Sequence, residues 1–211
     1  LGRYVDIDRF YKFWAMEVLA GHWDGYVSNR NNYFVYFDTK SDRLHFLPWG
    51  VDQLATDRNM FWDRSFDPPK SVKADSAIPR RLYQHPEGRK KYFDAMRFLL
   101  KKAWNEKELL AQIDELQELI EPHRVDNNSW VKGKPEAFKK FIRNRREEVP
   151  SEFEGGKTPE WTLAQRPLMS DLVKVADASG TFALKLGEAE ENSFGYIEVN
   201  GTSRFELKWG D

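Results

Sequence analysis

The sequence predicts an α+β fold dominated by helices. Three observations carry this expectation. Apolar residues recur at three- and four-residue spacing in the first twenty positions and again between 86 and 149; two aromatic-rich runs flank a polar turn at 38–42; short β-like runs punctuated by turn signals close the chain.

From Asp8, the residues Phe10, Phe13, Trp14, Val18 and Leu19 form one helical stripe, with Asp6 or Asp8 placed to cap its start and Gly21 to end it. The runs Tyr33 to Phe37 and Leu44 to Leu47, joined by Asp38-Thr39-Lys40-Ser41-Asp42, have the pattern of a β-hairpin. Residues 50 to 80 hold Pro68, Pro69 and Pro79 among many charges and no sustained period, which predicts a long irregular loop with short helical turns. Helical spacing then returns over Pro86 to Ala103, burying Tyr92, Phe93, Met96, Leu99 and Leu100. A second segment, Asn105 to Ile120, is expected to bury Leu109, Leu110, Ile113, Leu116 and Ile120, with Asn105 as N-cap and Glu108 at the capping-box position. A third, Pro135 to Val149, turns Phe138, Phe141 and Ile142 inward and leaves Lys139, Lys140, Arg143, Arg145 and Arg146 on a solvated outer face. These three helices are expected to form one bundle.

Composition changes after Pro150, where Glu154-Gly155-Gly156-Lys157 reads as a linker. Beyond it, Thr181 to Leu186, Phe194 to Val199 and Arg204 to Trp209 are predicted as short antiparallel strands, with Asn200-Gly201 as a turn. The expected organisation is therefore a domain over 1–150 and a linker with a partial β-module over 151–211. With no Met at its start and a helix almost at once, the sequence reads as part of a longer chain.

The chain has 211 residues and a formal net charge of −1 from 33 basic and 34 acidic residues, so no long-range field favours nucleic acid. No apolar run approaches the roughly 20 residues of a membrane-spanning helix. Cys is absent, which removes disulfides, thiolate nucleophiles and Cys-ligated zinc. The four histidines, His22, His45, His85 and His123, show no metal-site spacing. Neither a Gly-x-Ser-x-Gly elbow nor a P-loop pattern occurs.

The informative stretch runs from His22 to Asp52. In His22-Trp23-Asp24-Gly25-Tyr26-Val27-Ser28-Asn29, a His precedes an Asp by two positions and an Asn follows it by five. That is the spacing of a kinase catalytic loop, in which the Asp accepts or orients the proton of the attacking hydroxyl and the Asn ligates magnesium. The loop lies between a predicted helix and a predicted ribbon. After the ribbon, His45-Phe46-Leu47-Pro48-Trp49-Gly50-Val51-Asp52 returns a carboxylate towards the first loop, as a second magnesium ligand must. The same residues also suit structural roles: Asp24 and Asn29 cap turns well, His22 orients loops, Pro48 and Trp49 pack hairpin ends, and Asp52 can cap a helix.

The succession Tyr4-Val5-Asp6-Ile7-Asp8, Gly21-His22-Trp23-Asp24-Gly25-Tyr26, Asn31-Asn32-Tyr33, Tyr36 and Leu47-Pro48-Trp49 with Asp52 resembles the spore coat protein H (CotH) kinase-like family. The resemblance covers about residues 1 to 149, is sharpest over 21 to 53, and includes Phe141-Ile142-x-x-Arg145-Arg146. It implies the mostly helical C-lobe-like part of an atypical protein-kinase-like fold, lacking its N-terminal lobe. The activity implied is magnesium-dependent phosphate transfer from ATP to protein Ser or Thr, in a bacterial spore-coat, cell-surface or secreted protein. By resemblance Asp24 is the catalytic aspartate, with His22 beside it; Asn29 and Asp52 are metal ligands; Asn32 and Trp49 contact the nucleotide, Asn32 being an alternative to Asn29 as metal ligand. One departure stands out. Where the family usually shows Pro-Trp-Asp-x-Asp or Pro-Trp-Asp-x-Asn, this chain has Gly50, which leaves open a pseudokinase or a non-catalytic binding module.

Overall fold

The computed structural model describes residues 1–62, 66–123, 134–161, 194–199 and 203–208. The chain divides into two units, Leu1–Met60 with Asp67–Leu163, and Phe61–Phe66 with Ala164–Asp211. The described parts are α+β, as expected.

In the first unit, helix α1 (Ile7–Ala20) starts where the Asp6 carboxylate accepts the Arg9 amide at 3.1 Å and stops at Gly21, whose φ of 65° is left-handed. A side chain at Gly21 would meet the Thr56 backbone at 2.7 Å, so both the conformation and the close approach require glycine. The apolar stripe of α1 forms the centre of the core: Trp14 is fully buried, stacks on Tyr92 at 3.9 Å between centroids, and donates its indole N–H to the Lys73 carbonyl at 2.7 Å.

A one-turn helix, α2 (Tyr26–Asn29), follows, then the hairpin of β1 (Tyr33–Asp38) and β2 (Arg43–Pro48), registered from Tyr33 opposite Pro48 to Asp38 opposite Arg43. Alternation splits the ribbon. Phe46 enters the core against Phe10 at 5.0 Å and Tyr26 at 4.9 Å, whereas Phe34, Tyr36 and Leu47 are exposed on the other face. The N-terminal segment lies along β2, with the Leu44 amide donating to the Tyr4 carbonyl at 2.8 Å and the Asp6 amide to the Leu44 carbonyl at 3.1 Å.

The irregular loop ends earlier than expected, because α3 (Ala77–Gln84) contains Pro79 in its first turn. Proline is tolerated there, since first-turn amides have no intrahelical partner. Helix α4 (Pro86–Lys102) follows with Pro86 at its start and packs Tyr92, Met96, Leu99 and Leu100 beneath α1. Gly88 lies so close to the Leu82 carbonyl that a methyl group there would collide with it. Gly88→Ala is expected to destabilise by about 1–3 kcal/mol through forced separation of α3 from α4, measured as a lower urea midpoint at unchanged m value.

Helix α5 (Glu106–Ile120) has its cap where expected, Asn105 Oδ1 accepting the Glu108 amide at 3.4 Å, but the Glu108 carboxylate accepts the Asn105 side-chain amide at 2.9 Å rather than its backbone. Its apolar face is a correction. No α5 residue is fully buried, Leu109, Leu110 and Ile113 only pack against the core edge, and Leu116 and Ile120 are more than half exposed, at 54% and 56%. The spacing is amphipathic, but Leu116, Leu119 and Ile120 at its C-terminal end stay exposed, because Lys139 reaches this half at Asp114 and not over its apolar side chains.

Helix α6 (Lys134–Ser151) keeps Lys140, Arg143 and Arg146 exposed, as expected, but corrects the expected solvated face at Lys139 and Arg145. Lys139 is buried between Asp114, at 2.5 Å, and Glu136, at 2.9 Å. Arg145 is completely buried: its guanidinium forks onto Asp57, donates to the Val18 and Leu19 carbonyls at 3.2 and 3.1 Å, and lies 3.9 Å from the Phe141 ring centroid. Arg146 donates to the carbonyls of Leu100 at 2.9 Å and Trp104 at 2.7 Å and pairs with Glu106. The two arginines thus bring extra donors to carbonyls at the end of α1 and at and just beyond the end of α4.

The stretch read as a linker is instead strapped to this unit. Phe153 stacks on Phe93 at 4.5 Å, Glu154 pairs with Arg97 at 2.8 Å, Glu152 accepts the Lys70 and Ser71 amides, and the Tyr83 hydroxyl donates to the Pro159 carbonyl at 2.6 Å. In the second unit, β3 (Phe194–Val199) pairs antiparallel with β4 (Ser203–Lys208). The predicted strand 181–186 and the Asn200-Gly201 turn lie outside the described residues, as does Trp209. Among the described residues no helix is long and apolar enough to cross a membrane.

Candidate functional site

The hairpin joins the two loops singled out in the sequence. The Trp49 amide donates to the Asn32 carbonyl at 3.1 Å, so the loop leaving β2 is tied to the one entering β1. Asp24 is half-buried at this junction and is ringed by carboxamides. Asn29 Nδ2 donates to Asp24 Oδ1 at 2.6 Å, Asn32 Nδ2 to Oδ2 at 2.7 Å, and Asn31 Nδ2 lies 3.4 Å from both oxygens. Asn29 is itself held by the fully buried Asn59, whose side-chain amide also donates to the Ser28 carbonyl at 3.2 Å. Charge-assisted bonds of this length fix the carboxylate's orientation, while its partial exposure keeps it within reach of solvent.

Backbone conformation contributes. Arg30 and Asn32 adopt left-handed φ values of 62° and 45°, which Asn tolerates better than most residues. Gly50 is left-handed too, at 55°, and a Cβ there would lie 2.8 Å from Asn32 Cγ. The glycine therefore allows Asn32 to reach Asp24. Trp49 is exposed and leans on Phe34 at 4.8 Å, and Asp52 is exposed on the turn after Gly50.

His22 lies behind the loop rather than in front of it. It is 3% exposed, with Nδ1 3.8 Å from Glu17 Oε1. Burial lowers its pKa, opposed by the Gly50 backbone and by the charges of Asp24 and Asp52, both of which act on the ring. Glu17 is also buried; burial pushes its carboxyl up to about 8 against the pull of the Val27 and Tyr26 amides. A cavity of about 10 Å³, roughly the space of one water molecule, is lined by Glu17, His22, Ser28, Asp57 and Lys73 among others. Lys73, buried near Asp57, has its pKa lowered to about 8 by burial.

The structure thus brings together Asp24, Asn29 and Asn32, sets Trp49 and Asp52 on the adjoining loop, and puts His22 at their back. Sequence reasoning missed Glu17, Asn59 and the Asp57–Arg145 pair, and quoted Asn31 without giving it a part. Glu17 had a signal: it stands among Trp14, Val18 and Gly21 on the apolar stripe of α1, where an acid is out of place.

The profile of the CotH kinase protein family matches residues 1–150. The chain is 24% identical over 196 residues to Spore coat protein homolog 1 of Rhizopus delemar, covering 85% of this chain and 32% of that protein. It is 20% identical over 149 residues to Inner spore coat protein H of Bacillus subtilis, covering 68% of this chain and 40% of that protein. The chain therefore spans between about a third and two fifths of the length of these relatives. One relative is fungal and the other bacterial, so the relationship does not carry the bacterial origin expected from the motifs. With the match extending over most of its length, the chain belongs to the CotH kinase protein family.

Proposed function

We propose that this chain is the larger part of an atypical protein-kinase-like domain which, in the intact protein, transfers phosphate from ATP to a protein Ser or Thr, at a spore coat or cell surface. The observation that carries this reading is the half-buried Asp24 carboxylate gripped by Asn29 and Asn32 beside the Gly50–Asp52 turn. Asp24 orients the attacking hydroxyl and receives its proton; the asparagines hold its two oxygens in place. Residues 1–150 supply this loop, an N-terminal lobe elsewhere in the intact protein covers the nucleotide, and 151–211 carry an appended β-module.

The donor set suits magnesium, which takes one or two carboxylates and completes its shell with phosphate and water. Among the described residues no three His, Cys, Asp or Glu side chains are grouped around a metal position. Asn29 and Asp52 are the proposed ligands, with Asn32 and Trp49 at the nucleotide. The ion would supply charge neutralisation on the transferred phosphoryl group. Calorimetry of the intact protein with ATP and magnesium, together with a phosphate-transfer assay, tests the reading; the absence of both binding and transfer would sink it.

A second reading has its own observation. Gly50 has no side chain where the family usually carries an acid, and its close packing on Asn32 leaves little room for one. On that basis the chain is a non-catalytic binding or structural module of a spore-coat, surface or carbohydrate-associated assembly. Calorimetry of the intact wild type with ATP and magnesium separates the two: magnesium-dependent binding shows that Asp52 suffices without an acid at position 50, and its absence favours the non-catalytic module.

A further inference from the structure

We infer that Glu17 is a positioning residue for the loop carrying Asp24 and Asn29, gripping that loop from behind through its backbone. The inference rests on the reading of Asp24 as the catalytic aspartate. Helix α2 starts two residues after Asp24, ends on Asn29 and is four residues long, far below the length at which a helix holds itself together. Its N-cap is Gly25, which offers no side-chain acceptor. The cap comes instead from another helix: Glu17 Oε1 accepts the Tyr26 amide at 3.2 Å and Oε2 the Val27 amide at 2.9 Å. Both carboxyl oxygens are therefore spent on the turn that sets the spacing of Asp24 and Asn29.

The surroundings are shaped around this contact. A Cβ at Gly25 would fall 2.6 Å from Glu17 Oε1 and 2.7 Å from His22 Nδ1, so only glycine lets the loop close down on the acid. Glu17 is 4% exposed, and the groups facing it from neighbouring elements are His22, Tyr26 and, across the small cavity, Asp57 and Lys73. A buried acid is costly to keep unless its hydrogen bonds compensate, and here those bonds go to the loop.

The test uses Glu17→Gln in the intact protein, which preserves volume but turns an N–H₂ towards one of the two amide donors. Hydrogen exchange at Tyr26 and Val27 is expected to lose about tenfold protection, while the amides of α4 keep theirs. In the same variant, kcat for phosphate transfer is expected to fall about 10- to 100-fold, with KM for ATP within twofold. Unchanged protection in folded variant overturns the grip, and lost protection with unchanged kcat overturns the role in catalysis. If Glu17→Gln does not fold, Glu17→Asp, too short to reach both amides, gives the same readouts. Should the wild type transfer no phosphate, the reading of Asp24 fails, while amide exchange still decides whether Glu17 holds the loop.

Discussion

Asp24→Ala in the intact protein is expected to lower magnesium-dependent phosphate transfer by about 10²–10⁴-fold, equivalent to about 3–5 kcal/mol of barrier. The reason is chemical rather than architectural. Asp24 is half-buried and its partners are asparagine amides at the surface end of α2 and the start of β1, so water can satisfy Asn29, Asn31 and Asn32 when the carboxylate is gone. The core, centred on Trp14 and Tyr92, lies elsewhere in the same unit. Initial rates at saturating ATP, with the thermal transition as control, measure the effect. A variant that keeps its rate would remove Asp24 from the reaction.

Arg145→Met is expected to cost about 3–5 kcal/mol of stability, the range for removing one member of a buried ion pair. Methionine fills much of the volume but removes the guanidinium donors from the Asp57 carboxylate and the Leu19 carbonyl, and leaves the Val18 carbonyl with the Gly21 amide alone. The bond to Leu19 spans 126 positions of sequence, so Arg145 ties the last long helix of the unit to the end of the first, directly ahead of Gly21 and His22. Arg145→Lys should recover only a minor part of the loss, because a point charge cannot fork onto Asp57 and reach two carbonyls together. Urea unfolding of both variants, with Asp57→Asn to close a double-mutant cycle, checks the assignment. A loss below about 1 kcal/mol for Arg145→Met would place it with exposed ion pairs.

Both experiments concern residues that the sequence displays unequally. Asp24 and Asn29 were legible because their spacing is a property of one loop. Arg145 stood in plain view on the stripe of Ile142 and Val149, at helical spacing, yet a charged residue defaults to the solvent face when only the chain is read. Glu17 was overlooked for the same reason. Helix α5 shows the converse: its leucines obey the amphipathic period, but periodicity says which face is apolar and not whether anything packs on it. Helices α2 and α3 escaped because one is too short to have a period and the other carries Pro79 in its first turn, where a proline reads as a loop.

What the amino-acid order determined alone was local: Asn105 as a cap and Asp6 or Asp8 as another, Gly21 as a stop, the β1–β2 hairpin, the long helices, and the succession of motifs that marks the family. Those features depend on neighbours within a few positions, where dihedral preferences and side-chain spacing act directly. Only the tertiary structure decided that three asparagines surround Asp24, that Glu17 caps a helix other than its own, and that Arg145 is buried on Asp57. Glu17 and Arg145 place a charged or acidic group where water is scarce, and such a group is stable there only when partners from other elements arrive to meet it, while the asparagines reach Asp24 because the hairpin and its loops fold back on one another.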